Sequence, residues 1–242
     1  MKRAIELLGA QLASWKIDLP SSQVALLDAY TELLTGYELA NVIGTRQRDE
    51  IVLKHLVDAL SCLVVEDMWQ KNSIVDVGTG AGLPGIPLAI ARSELHVALL
   101  EAIEKKVRFL DHARTTLGLR NLEVLHGRAE SAGRDPAHRE VFDLATARAL
   151  APLPVVVEYC APLLRPGGAI VAMKAQLQEE ELSKGVAASV ELGLALREVK
   201  EVRYIASLPQ KERRLVVFDK VGAISKRFPR RVGLAKKRPL GG

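Results

Sequence analysis

Cysteine is nearly missing from this chain. Its 242 residues hold two, Cys62 and Cys160. They lie far apart, so no disulfide framework or zinc cluster is implied, and a reducing, cytoplasmic setting fits. Long apolar runs are missing as well. No run of about 18 apolar residues occurs, so no membrane span is expected. The first residues, MKRAIELLGAQLASWKIDLP, are amphipathic and interrupted by Glu6 and Lys16. They lack the apolar stretch of a signal peptide. No internal repeat is visible. What is present is 48% hydrophobic residues, enough for a sizeable core. The length suits one large domain, or one domain with an appendage.

Acid is missing from the last 21 residues. Residues 222–242 carry Lys226, Arg227, Arg230, Arg231, Lys236, Lys237 and Arg238 with no Asp or Glu. The chain's net charge is +5; taking these seven from 34 basic residues leaves 27 against 29 acidic, a net of −2. The basic character therefore belongs to the tail. Such blocks often contact nucleic acid through phosphates, and the plainer alternative is a solvated, disordered terminus.

Residues 1–70 are predicted as a helical segment. Leu26, Leu27, Tyr30, Leu33 and Leu34 recur at helical spacing, and a second periodic stretch runs from Ile51. From Ser73 the rhythm alternates. SIVDV, HVALLE, LEVLHG, VFDLATAR and GAIVAMK read as strands, with helices between them, and LREVKEVRYI and RRLVVFDK as two more. Alternation of this kind predicts a doubly wound, mostly parallel α/β sheet of seven strands. The expected organisation is 1–70 helical and packed on the core, 71–221 the α/β domain, and 222–242 a basic tail. Ligands on such sheets bind beyond the carboxyl ends of the strands, where the loop after SIVDV, Glu101, Glu130 and Arg148 should all fall.

That loop, VDVGTGAGLPG, reads in two registers. Gly80, Gly82 and Gly85 match the G-x-G-x-x-G of a dinucleotide site. Asp76, Gly78, Gly80 and Gly82 match the D-x-G-x-G-x-G of an S-adenosylmethionine site. Glu101 does not discriminate, because both cofactors carry a ribose diol. Asp76 does, since a carboxylate opposes a pyrophosphate but suits an ammonium and a sulfonium. Pro84 and Pro87 lack the N–H that an anion site at a helix start uses. Glu130, after the third strand, is placed for the amino edge of adenine. The methyl donor is the favoured cofactor. The plainer alternatives are that Glu101 caps the next helix, that Glu130 is a solvated acid, and that Asp76 bonds loop amides.

Familiar acceptor motifs are missing. There is no Asn-Pro-Pro-Tyr or Asp-Pro-Pro-Tyr, and neither cysteine follows a proline. Cys62 and Cys160 read as core thiols. The pattern points away from covalent catalysis, toward an acceptor that is already nucleophilic. His55 and Asp58, three apart on one helix face, read as a structural pair. No third ligand in register supports a metal, and none is expected.

From about Asn41 to Leu240 the chain resembles the bacterial RsmG (GidB) family. The resemblance rests on DVGTGAGLPGIPLAI, KKVRFL at 105–110, GRAE at 127–130, ARALAPL at 147–153, RLVVF at 214–218 and FPRRVGLAKKRPL at 228–240. The chain departs from the family pattern at Asn41-Val42-Ile43 (usually Asn-Leu-Thr), at Ala59 (usually Ser) and at Lys174-Ala175 (usually Lys-Gly). The resemblance implies a Rossmann-like class I S-adenosylmethionine-dependent methyltransferase. Its acceptor would be guanine N7 in the 530 loop of 16S rRNA, with naked rRNA, a pre-ribosomal particle and the small ribosomal subunit all open as substrates; a monomer is expected, though the sequence leaves the oligomeric state open. It implies that Gly78 and Leu83 line the methionine and ribose end of the cofactor, that Glu101 bonds the ribose, and that Ala129 and Glu130 hold the adenine. Arg148 would lie where cofactor and acceptor meet, as a positioning residue.

Guanine N7 has a free lone pair, so transfer needs no general base, and orientation supplies the acceleration. An arginine bonded to N7 would block it; Arg148 should therefore grip a phosphate or O6, or fix the cofactor side. Candidate RNA contacts are Arg46, Arg48, Lys54, His55, Lys174, Arg230, Arg231, Lys236, Lys237 and Arg238. Removal of the tail is expected to weaken RNA binding and to leave cofactor binding alone. Three rivals stay open: a nicotinamide oxidoreductase, a non-enzymatic RNA-binding protein, and a methyltransferase acting on a small molecule or protein.

Overall fold

The computed structural model describes residues 2–37, 39, 42–209 and 212–242. Seven strands form one sheet: β1 Ser73–Val77, β2 His96–Glu101, β3 Leu122–His126, β4 Phe142–Arg148, β5 Leu164–Lys174, β6 Leu194–Glu201 and β7 Arg214–Lys220. Their order is β3-β2-β1-β4-β5-β7-β6. The pairs from β3 to β5 are parallel, and β7 runs antiparallel to both β5 and β6. β1, β2 and β4 are buried on both faces, which is why they read as continuous apolar runs rather than alternating ones. The order reverses between β1 and β4, so loops diverge there and leave a crevice beyond the strand ends.

The period of two along the strands divides the apolar residues between two cores. Ile74, Val97, Leu99, Leu144, Val171 and Val217 face one way and pack with the N-terminal helices Lys2–Ser14 and Ser21–Gly36. Val75, Ala98, Leu100, Ala145, Ile170 and Val216 face the other and pack with the helix Leu153–Cys160. That second core also takes in Ile224, Phe228 and Ala235 from the basic C-terminal segment. Residues 222–242 are therefore not a solvated tail. Their apolar residues cover a sheet face, Arg230 turns inward to the buried Glu158, and Lys226, Arg227, Arg231, Lys236, Lys237 and Arg238 are exposed.

The periodic stretch after Gly44 is not one regular helix. It passes from the helical turn Arg48–Glu50 through a π-helix, Ile51–Leu56, to Val57–Leu60 and a 3₁₀ turn, Ser61–Val64. Insertions of this kind often sit at functional sites. β5 begins four residues earlier than the sequence suggests, and β6 covers Leu194–Glu201 rather than 196–205. Asn41, one of the departures noted above, lies outside the described residues. Cys62 and Cys160 are fully buried, and burial pushes both thiols well above their ordinary range. Among the described residues no helix is long and apolar enough to cross a membrane.

Candidate functional site

The loop after β1 is built by the main chain. Gly78 (φ +68°) sends its amide to Leu100 O at 2.8 Å. A Cβ there would lie 2.5 Å from Leu150 Cδ1, so only glycine lets the chain pass. The Gly80 amide donates to Glu101 Oε2 at 2.9 Å. Asp76 lies beneath the loop, fully buried. It accepts from Thr79 Oγ1 (2.5 Å), Gly85 N (2.9 Å) and Thr146 Oγ1 (3.0 Å). Burial raises its carboxyl to about 6, against the opposing pull of those three donors. Asp76 thus ties the loop to the next helix and to β4, the plainer of the roles expected for it.

Beyond the ends of β1, β2 and β4, and past β3, lies a cavity of about 490 Å³. Gly78, Glu101, Gly127, Ala129 and Glu130 line it, together with Lys106, Arg128, Tyr159 and Lys236. Of the residues expected to hold a cofactor, Gly78, Glu101, Ala129 and Glu130 meet here. Asp76, Gly80, Gly82 and Leu83 shape the loop behind it and Arg148 lies next door; none of these five lines the cavity. Glu101 Oε1 accepts the amides of Ala102 and Ile103, both at 2.9 Å, and Oε2 accepts that of Gly80. The side chain does hold the entry to the following helix, and it also presents its carboxylate to the cavity. Glu130 is not a solvated acid. It is 4% exposed, and its Oε1 accepts the Gly233 amide at 2.9 Å. Burial, followed by the charge of Glu130, raises Tyr159 to about 12.

A second cavity of about 350 Å³ adjoins the first, sharing Ala149 and Leu150. Arg148, Lys174 and Arg213 bring three cations to it. Arg148 Nε lies 3.0 Å from Asp58 Oδ2, and its Nη2 lies 2.7 Å from His55 Nδ1. Arg213 binds the other oxygen of Asp58, which is wholly buried. His55 and Asp58 thus do not pair with each other, as their spacing suggested; both turn to Arg148. Burial, then the charge of Arg148, lowers His55 to about 4. The ring is neutral, and because its Nδ1 faces a guanidinium donor, we assign its proton to Nε2.

Several cations expected to meet RNA are occupied within the fold. Lys174 binds Glu181 at 2.5 Å, and Arg48 binds Asp28 and Glu32. Lys54 pairs with Glu50 at 2.6 Å, and Arg230 grips the fully buried Glu158 through Nη2 at 2.5 Å. Arg46, Arg231, Lys237 and Arg238 are exposed. Lys236 is exposed too, but on the wall of the first cavity. The C-terminal segment is not remote from the first cavity: Lys236 lines it, and the Gly233 amide bonds Glu130 in its wall. Arg213, Tyr159 and Lys106 went unnoticed in the sequence. The available signal was that each lies inside a stretch already read for other reasons: RRLVVFDK, the helix PVVVEYC and KKVRFL.

Known proteins bear on these cavities. Residues 23–208 match the family model described as rRNA small subunit methyltransferase G, GidB. The ribosomal RNA small subunit methyltransferase G of Rubrobacter xylanophilus is 44% identical over 242 residues, covering 100% of this chain and 93% of that one. The Moorella thermoacetica protein of the same name is 40% identical over 99% of this chain and 100% of its own. Among solved structures, a SAM-dependent methyltransferase from Aquifex aeolicus aligns with a TM-score of 0.54 at 19% identity, over 76% of this chain and 100% of that one. The last likeness bears on the fold alone, which is that of the Rossmann-like class I methyltransferases. With the model spanning most of the chain and such relatives spanning nearly all of it, the chain belongs to the rRNA small subunit methyltransferase G family.

Proposed function

We infer that the chain is an S-adenosylmethionine-dependent methyltransferase of small-subunit rRNA that modifies N7 of a guanine in the 530 loop of 16S rRNA, by direct in-line transfer without a general base. The observation that carries the reading is the pair of joined cavities. The first is lined by two acids held on main-chain amides, beside Lys106, Arg128 and Lys236; the second is lined by Arg148, Lys174 and Arg213 and by no acid.

The first cavity fits the donor. When bound, S-adenosylmethionine supplies a methyl group already activated on sulfonium. Glu101, with both oxygens turned by backbone donors, suits a ribose diol. Glu130 and the Ala129 backbone suit the amino edge of adenine. Gly78 keeps the floor open where any side chain would meet Leu150. Asp76 acts one layer back, by holding the loop.

The second cavity suits the acceptor. Arg148 is held on two sides, by Asp58 and His55, so its guanidinium is fixed rather than searching. A fixed cation beside a guanine can hold O6 or a phosphate and leave N7 free. Orientation of this kind is worth about 7–11 kcal/mol in favourable cases. No proton has to leave N7, and two titratable groups beside the cavities suit that requirement: His55 sits at about 4 and Tyr159 at about 12, both far from a base poised near neutrality. Exposed Arg46, Arg231, Lys237 and Arg238 are available to phosphates.

The test is labelled methyl transfer from S-adenosylmethionine to protein-free 16S rRNA and to small-subunit particles, followed by identification of the base. One labelled 7-methylguanine in the 530 loop is expected. Label at another base, or only on a small molecule or protein, would overturn the assignment.

A further inference from the structure

The basic C-terminal segment also reaches the first cavity. The Gly233 amide donates to Glu130 Oε1. Three residues on, Lys236 lines the same cavity as Glu101 and Glu130. Lys236 and Pro239 then close an adjoining hollow of about 270 Å³ against Leu150, Ala151 and Pro152. The segment is docked firmly. Phe228 is buried in the second core, and Arg230 binds Glu158 through both its side chain and, at 3.0 Å, its own amide. Farther along, Gly241 packs so closely on Lys184 that a side chain there would strike its carbonyl.

The Gly233 amide and the Tyr159 hydroxyl both bond the Glu130 carboxylate, so Gly233 helps to determine how it is aimed. An amide bonded to a carboxylate oxygen at 2.9 Å fixes the direction in which that carboxylate points. Lys236 adds a cation with three donors to a cavity whose deepest groups are two acids. Meanwhile Arg231, Lys237 and Arg238 are exposed on the outside of the same short stretch.

We propose that residues 229–240 form a wall of the methyl-donor site, in which Gly233 is a positioning residue for Glu130 and Lys236 contacts the cofactor, while the outer charges meet RNA. The proposal rests on the donor-site reading given above. It makes one segment common to both ligands, so RNA and cofactor should change each other's affinity by the same factor.

Calorimetric binding of S-adenosylhomocysteine tests it, using the full chain, a chain ending at Val232, Lys236→Ala, Lys236→Arg, and the double change Lys237→Ala/Arg238→Ala, each first checked for a wild-type melting profile. Loss of the wall should weaken S-adenosylhomocysteine about tenfold or more, the scale of one hydrogen bond to a charged group. Lys236→Ala should weaken it by a smaller factor and Lys236→Arg should restore it. The double change should spare cofactor affinity and reduce RNA affinity with a flatter salt dependence. In turnover, the shortened chain should raise the cofactor KM more than it lowers kcat. If the shortened chain folds and binds S-adenosylhomocysteine as tightly as the full chain, the wall is refuted. If it does not fold, equal affinity of Lys236→Ala and wild type refutes it instead. Failure of the folded full chain to bind S-adenosylhomocysteine at all would remove the donor site itself, a result distinct from loss in the variants alone.

Discussion

In the first cavity the acids are held by main-chain amides: Gly80, Ala102 and Ile103 on Glu101, and Gly233 on Glu130. In the second the cations are held by acids: Asp58 on Arg148 and Arg213, and Glu181 on Lys174. The two arrangements respond differently to damage. Amides cannot be mutated away, so the donor side depends on glycines and on backbone path. The acceptor side depends on single carboxylates, and Asp58 is shared between two arginines while wholly buried.

The largest expected effect is therefore at Asp58. Asp58→Ala leaves two guanidiniums facing a buried void, and removing one partner of a buried pair costs about 3–5 kcal/mol. Thermal or urea unfolding should report it, and a loss below about 1 kcal/mol would show that water solvates the cluster. Arg148→Ala should reduce turnover about a hundredfold, the effect of a misplaced acceptor. S-adenosylhomocysteine affinity should stay within about threefold of wild type, since Arg148 lies outside the first cavity. Equal losses in binding and turnover would merge the two cavities into one site. Glu101→Gln tests the donor side. It keeps one acceptor oxygen, for Ala102 and Ile103, but turns an NH2 toward the Gly80 amide and removes the charge, so cofactor affinity should fall about tenfold and stability by about 1–3 kcal/mol.

Acidity offers a finer test of the acceptor side. His55 sits at about 4 against an ordinary 6.5, so the folded state binds fewer protons than the unfolded one. Its contribution to stability is complete above pH 6.5 and is lost as pH falls from there toward 4. Asp76 acts in the opposite sense. Raised from 3.8 to about 6, its contribution is complete below 3.8 and lost as pH rises through 6. His55→Gln should flatten the acid limb of the urea-midpoint curve between pH 6.5 and 4; an unchanged limb would assign that limb to other groups. The smallest effect separates two neighbours. Arg231→Ala should leave stability within about 0.5 kcal/mol of wild type and lower the salt slope of RNA binding by about 1. Arg230→Ala should destabilise the fold, because Glu158 is buried without it.

Much of the donor side was legible before the structure. β1 and β2 begin and end where alternation and apolar runs place them, and Gly78, Glu101, Ala129 and Glu130 line one cavity. These features are local: a strand, its following loop and the acid at the next strand end are linked by register, Asp76 opposite Leu99 and Glu101 opposite His126. The acceptor side was not legible in the same way. Arg148 stood out, but its partners lie 90 and 93 residues away, and the π-helix that turns His55 toward it leaves no periodic signature. The tail misled for a related reason. A count of charges cannot see that Phe228 and Ala235 are core residues, or that Arg230 answers Glu158.

By itself, the sequence determined the sheet, the glycine turn and the acid after each of two strands, because hydrophobic period and φ > 0 are properties of a residue and its near neighbours. Only the tertiary structure decided which charges are free. It buried Asp76 beneath its own loop, paired Arg48, Lys174 and Arg230 with acids of the fold, and brought Lys236 to the cavity wall and the Gly233 amide to Glu130. A charge's role depends on what stands within a few ångströms of it, and that is a matter of packing between segments rather than of order along the chain.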